Sequence, residues 1–259
     1  MVEFNNLYSV SDADERLSKA RANFFIATVC ASCAIFFFCI RSFFPIAYTF
    51  FFVVVPILLA LASLTLGVAE IVQQRRGVLM HVESEGIALY PLLFPFYVSS
   101  ICSVFLMTCG PIALLLFLIQ PNSVMSLILG FSYSYFGYTM FNVTDYRPSR
   151  IHRSPMITLA PNYLAIQPLL HDNPTRIGWD RNPQIEGFEL FVAANEPHQL
   201  MHVSTRDSEE AFVFEMRGTP ICYWQLARLI NHFVAHPEDR ATLGTPQGPQ
   251  LVSDILTAG

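Results

Sequence analysis

From Ile87 to Thr144 the chain runs for 58 residues without an Asp, Glu, Lys, Arg or His. As one helix the run would reach about 87 Å at ~1.5 Å per residue, against a hydrocarbon core of about 30 Å. It must fold back on itself. The break falls at Gln120-Pro121-Asn122-Ser123, a polar, proline-bearing tetrapeptide that offers Ser123 as an N-cap. Tyr90-Pro91 and Pro95 interrupt the start of the run, so the pattern predicts spans near 96–119 and 123–141. Upstream, Ala22 to Ile40 gives 19 uncharged residues and Ser42 to Ala69 gives 28, with Arg41 alone between them. These predict spans near 22–40 and 45–69, with Pro45 at a start and Pro56 at a kink. Residues 1–21 predict a helix capped at Ser11, with Asp12, Asp14 and Glu15 first and Arg16, Lys19 and Arg21 last, as the helix dipole favours. That helix feeds directly into the first span, and it lacks the order of a secretory signal peptide.

After Pro155 the pattern changes to short runs rich in β-branched and aromatic residues, parted by turn residues. Six strands are predicted: Met156 to Leu159, Tyr163 to Gln167, Arg176 to Asp180, Gln184 to Val192, His198 to Thr205 and Ala211 to Arg217. The first two flank a hairpin turn at Ala160-Pro161-Asn162. Thr219-Pro220 then reads as an N-cap and first helical position, opening a helix to about His236 whose Cys222, Leu226, Leu229 and Phe233 share one face. Residues 245–259, with Pro246, Pro249 and two glycines, read as a flexible tail, although Leu251-Val252 and Ile255-Leu256 suit docking onto a partner.

Composition sharpens this division. The chain is 53% hydrophobic and only 14% charged, where an ordinary soluble domain has roughly 25% charged residues. Residues 1–144 carry 13 of the charged side chains and 145–259 carry 22, so a membrane half precedes a soluble half. The fold class expected is an α-helical membrane bundle of four transmembrane helices (22–146), followed by a small α+β cytoplasmic domain (147–244). Orientation follows from Lys and Arg near the span ends. With the N-terminus inside, the inner flanks hold Arg16, Lys19, Arg21, Arg75, Arg76, Arg147, Arg150 and Arg153, and the outer loops hold Arg41 alone. Both termini and the soluble half are therefore expected in the cytoplasm. The net charge of −5 is spread out, which excludes the basic stripe of a nucleic-acid binder.

Small residues recur at helix-packing spacing: Ser126, Gly130 and Ser134 on the fourth span, Ser63 and Gly67 on the second. They are candidates for a helix–helix interface, either within the bundle or with another membrane protein. Arg75, Arg76, Arg147, Arg150 and Arg153 are candidates for contact with anionic lipid. No ionisable Asp, Glu, Lys, Arg or His lies inside the spans, which argues against an ion path or proton relay, and no internal repeat suggests a secondary transporter. Cys30 and Cys33 form a C-x-x-C pair mid-span with no second ligand pair, so they are read as packing residues.

His198 and His202 are spaced i, i+4 on a predicted strand, about 13 Å apart, too far to share an ion. His232 and His236 have the same spacing on a helix but lack the glutamate of an H-E-x-x-H site. No nucleophile elbow, phosphate loop or dinucleotide fingerprint occurs. No catalytic, cofactor-binding or metal residue is therefore assigned, no small-molecule substrate is identified, and the chain is read as non-enzymatic.

Strands followed by one amphipathic helix, with Ile177-Gly178-Trp179-Asp180 ending a strand and His236-Pro237-Glu238-Asp239-Arg240 and Leu243-Gly244 leaving the helix, resemble the bacterial PH-like domain over about Met156 to Gly244. The resemblance implies a small curved sheet plugged by a C-terminal helix, and a binding or scaffolding module. It implies no chemistry. The loop at 168–175, where a PH domain would bind phosphoinositide, has no Lys or Arg. With Arg-rich, Lys-poor usage, the layout is also similar to small accessory subunits of actinobacterial respiratory (cytochrome) supercomplexes. The expectation is an accessory or scaffolding subunit of a larger complex in a bacterial plasma membrane, with the bilayer and other membrane subunits as partners. An inner-leaflet lipid or membrane-stress sensor and a small transporter are the alternatives.

Overall fold

The computed structural model describes residues 12–43, 46–76, 80–121, 124–143, 147–193, 196–207, 211–221 and 223–257. The expectations placed on Ser11, Pro45, Asn122, Ser123, Thr144 and Cys222 lie outside the described residues. The chain divides into two compact units that interleave in sequence. Residues 15–75 and 94–148 form a helical unit, and residues 76–93 join 149–259 in the other.

In the helical unit, α1 spans Asp12–Cys39, so the polar N-terminal helix and the first apolar run are continuous. The short helix α2 (Ile46–Thr49) passes through a π-helical turn, Phe50–Val54, into α3 (Val55–Arg76). Pro56 explains the turn. Lacking an N–H, it cannot continue the i→i−4 ladder, and just before it the Val55 N–H reaches back to Phe50 O. Helix α4 (Phe94–Ile119) and helix α5 (Val124–Val143) pack against each other. Among the described residues, three helical stretches are long and apolar enough to cross a membrane: Ser18–Cys39, Phe50–Val72 and Phe94–Ile119. The expected fourth, α5, has 20 residues, but its serines, tyrosines and Asn142 lower its hydropathy.

The second unit holds eight strands among its described residues, two more than the sequence pattern predicts. The extra pair is β1 (Met80–Glu83) and β2 (Gly86–Leu89), a hairpin with Glu83 opposite Gly86. β2 pairs antiparallel with β3 (Ile157–Leu159), Leu89 opposite Ile157, and β4 (Tyr163–Ile166) and β5 (Thr175–Gly178) complete a five-stranded meander. β6 (Gln184–Ala193), β7 (Glu196–Ser204) and β8 (Phe212–Glu215) form a three-stranded sheet, bulged between Ile185 and Gly187. The start of the uncharged run is thus a strand, and the sheet domain does not begin at residue 147. Every residue of β2 is buried, so hydrophobicity there serves a protein core rather than lipid.

Gly86 is fixed by this register. Its φ of +151° and the closeness of Leu159 O leave no room for a side chain. At the tip of the hairpin, Glu85 accepts a hydrogen bond from Tyr163 and lies 3.3 Å from Arg176, tying the strand pair to β4 and β5.

Two helices close the domain. α6 (Tyr223–Ala235) buries Leu226, Leu229, Ile230 and Phe233 in one core with both sheets. Trp179 bridges sheet and helix: its indole N–H donates to Ala160 O at 2.7 Å and its ring lies 5.9 Å from Phe233. The helix begins at Tyr223 rather than Pro220, because the buried Thr219 hydroxyl donates to Met216 O in the preceding turn. A 3-10 stretch, Pro237–Gly244, leads into α7 (Gly248–Thr257), which replaces the flexible tail expected at 245–259. α7 packs on α6, β1 and β2 and buries Val252, Ile255 and Leu256, each contributing roughly 1.5–3 kcal/mol by leaving water.

Tyr90 donates to Glu83 at 2.5 Å, as Tyr163 does to Glu85. The accepting carboxylates, followed by desolvation, raise the proton affinity of both phenols above the ordinary tyrosine range. A folded pKa above the unfolded one contributes stability that is complete below the unfolded value and is lost as pH rises through the raised value. Melting temperature measured in alkaline steps is expected to fall there, and Tyr163→Phe is expected to flatten part of that fall by lowering stability in the neutral range, so that the two curves converge in alkali.

Candidate functional site

The small residues singled out on α5 all turn toward the chain's own helices. Ser126 and Gly130 are buried. A Cβ at Gly130 would overlap Ala113 Cβ and lie 2.8 Å from Cys109 O and 3.1 Å from Phe51 Cζ. Two turns on, a Cβ at Gly137 would stand 2.6 Å from Ser103 O. At Gly130 and Gly137 α4 and α5 therefore approach so closely that only a hydrogen fits in place of a side chain, as small residues permit. Phe51, fully buried in the π-helical turn, fills the junction beside Gly130 and stacks at 6.4 Å on Tyr133. Gly130 and Ser134 meet α4 of the same chain, and Ser126 is buried.

Ser134 has a more specific task. Pro111 lies inside α4 and cannot donate to Met107 O, the carbonyl four residues back. The Ser134 hydroxyl donates to that carbonyl, and Gly110 N–H donates to Ser134 Oγ at 3.2 Å. A side chain of α5 thus repairs the ladder of α4, as a proline in a dry environment requires. Ser134→Ala is expected to destabilise the hairpin by about 1–3 kcal/mol, the cost of an orphaned buried acceptor, read as a lower melting temperature in detergent. Ser134→Ala combined with Pro111→Ala should recover most of that loss, since the ladder can then close on itself.

On α3, Gly67 packs against Phe24 and Ala20 of α1, and Ser63 is half-buried. Arg75 and Arg76 end α3, and their side chains lie outside the described part. Arg147 donates to Phe141 O and Asn142 Oδ1, both at 3.1 Å, and lies 4.7 Å from the Phe141 ring. It caps the C-terminus of α5, where a cation suits the helix dipole. Arg150 and Arg153 are exposed.

His232 Nε2 lies 2.8 Å from Asp239 Oδ2 and His236 Nδ1 3.2 Å from Glu238 Oε1, each histidine with its own carboxylate at the end of α6. Arg240 donates to Phe233 O and Val234 O, completing that cap. Among the described residues no group of three or more His, Cys, Asp and Glu is arranged to hold a metal.

Sequence reasoning did not single out Trp224 and Arg228 as a surface. Trp224 is 38% exposed on α6, the Arg228 guanidinium lies 4.5 Å from its ring, and Arg228 also donates to Ile255 O at 3.3 Å. Their i, i+4 spacing was the available signal. α7 thus holds Arg228 over the indole, and Trp and Arg are the residue types that dominate protein-binding surfaces. No protein family, curated protein or solved structure matches this chain.

Proposed function

We propose that this chain is a non-enzymatic, four-span protein of a bacterial plasma membrane, an accessory or scaffolding subunit that presents a PH-like domain to the other subunits of a larger complex. The observation that carries the reading is the pairing of β2 with β3 across the α4–α5 insertion. The chain leaves the sheet after Leu89 and returns opposite it at Ile157, so the hairpin between them begins and ends at one strand pair. A hairpin with both ends on one side of a bilayer crosses an even number of times. α4 supplies one crossing, and α5, with 20 residues and a length of about 30 Å, supplies the return.

An even number of crossings would leave the flanks bearing Arg75, Arg76, Arg147, Arg150 and Arg153 on one side, in line with cytoplasmic termini under the charge rule. Three chain connections join the sheet unit to the helical unit, which suits a subunit that positions partners. The meander, the second sheet and the plugging α6 support the PH-like assignment, with its first two strands contributed from before the hairpin. Trp224 and Arg228 form its contact patch.

Purification in mild detergent at native expression, with mass spectrometry of co-eluting chains, tests this. Membrane subunits in fixed proportion that are lost with Trp224→Ala are expected. A lone monomer, or partners indifferent to Trp224→Ala and Arg228→Ala together, would count against the proposal.

A further inference from the structure

We propose that the slot between α1 and α3 holds one acyl chain of a membrane phospholipid whose phosphate is bound by Arg41. α1 touches α3 where Gly67 meets Phe24, and touches the π-helical turn before α3 where Phe37 stacks on Phe52 at 4.3 Å. Between and beside these contacts lies a cavity of about 470 Å³ whose lining on α1 runs from Phe24 to Phe38. Alanines make it deep: Ala27, Ala31 and Ala34 on α1 and Ala60 on α3 leave space where larger side chains would close the helices together. The polar group of the lining is the Thr28 hydroxyl, which donates to Phe24 O at 2.8 Å. An occupant therefore needs no donor or acceptor along the slot.

Its length and lining suit a hydrocarbon chain. Fourteen helical rises give the lining a length of about 21 Å, and every lining side chain but Thr28 is apolar. A single methylene chain, whose width is set by carbon contacts of about 3.5–4.0 Å, fits. Both walls are helices long and apolar enough to cross the membrane, where acyl chains are the surrounding solvent.

Charge fixes the other end of the ligand. Phe38 closes the lining, and the Arg41 guanidinium lies 4.2 Å from its ring centroid. No Asp or Glu occurs between Ala22 and Ala69, and Arg41 has no carboxylate partner among the described residues. An exposed, uncompensated cation at the mouth of an apolar slot complements a phosphate joined to a hydrocarbon chain. Neither half alone explains the pair.

The full-length protein, purified in detergent and exchanged into micelles containing phosphatidylglycerol, provides the test by native mass spectrometry. One retained lipid per chain is expected. Arg41→Gln should lower its retention about fivefold, the factor expected of one interfacial cation, whereas Arg41→Lys should keep it. Ala31→Phe fills the slot and should abolish retention even with Arg41 present. Arg41→Gln keeps the test informative if Ala31→Phe fails to fold, since Arg41 is exposed. Equal retention by the wild type, Arg41→Gln and Ala31→Phe would overturn the proposal. So would a dimer that Ala31→Phe converts to monomer without any change in bound lipid, which would assign the slot to a second copy.

Discussion

Gly130→Leu is expected to separate α5 from α4 and abolish a cooperative melt of the helical unit. Even Gly130→Ala should cost about 1–3 kcal/mol, the usual penalty for overpacking a filled site. Its Cβ would overlap Ala113 Cβ and press on Cys109 O and Phe51. Since lipid tails solvate apolar side chains as well as a neighbouring helix does, close packing and hydrogen bonds hold such helices together, and a lost fit is not offset by hydrophobic burial. Thermal unfolding in detergent measures the effect. A double-mutant cycle gives it direction: Gly130→Ala should be less harmful in the presence of Ala113→Gly, with a favourable coupling of roughly 0.5–1 kcal/mol or more. Independent, additive costs would mean that the two backbones do not meet there.

The second large effect is expected at the far end of the chain. Removing residues 245–259 takes away Val252, Ile255 and Leu256, all buried against the strands and α6. At roughly 1.5–3 kcal/mol for each side chain, the deletion should remove most of a typical domain stability of about 5–15 kcal/mol. Val252→Asp should act in the same direction by placing a charge in the core, whereas the exposed Gln250→Asp should change little. Limited proteolysis and melting temperature report both. A truncated chain as stable as the intact one would restore the flexible-tail reading of the sequence.

What the sequence disclosed follows from which patterns were unambiguous. Strands β3 to β8 were legible because alternating β-branched and aromatic runs are parted by Pro, Asn and Gly. β2 was not, because Gly-Ile-Ala-Leu is buried at every position. A fully buried strand and the first turn of a membrane helix look alike in an apolar run. β1, only four residues long, offered no periodicity of its own. α7 was obscured by Pro246 and Pro249, yet Pro249 sits in the first turn of the helix, where a missing N–H costs nothing. The docking pairs Leu251-Val252 and Ile255-Leu256 were visible, but their partner is the chain's own core.

At the helical junction the spacing of Ser126, Gly130 and Ser134 was readable, whereas the helix they face was not. Ser134's bond to the carbonyl released by Pro111 depends on the pairing of two helices 27 residues apart at that point, which no local pattern encodes. In the sequence Arg41 bears on orientation alone, because its place at the mouth of a slot requires α1 and α3 to be side by side.

Disulfide trapping across the insertion tests the pairing of β2 with β3 most directly. Ala88 is opposite Thr158, and directly opposed strand residues have Cα atoms about 4.5–5.5 Å apart, within the range a disulfide spans. In a chain freed of its native cysteines, Ala88→Cys with Thr158→Cys should cross-link on mild oxidation, so that the fragments stay joined after cleavage within the α4–α5 hairpin. Ala88→Cys with Ala165→Cys, one strand further away, should not. Failure of the first pair while both cysteines remain reducible and reactive would contradict the splicing of the sheet domain around the α4–α5 hairpin.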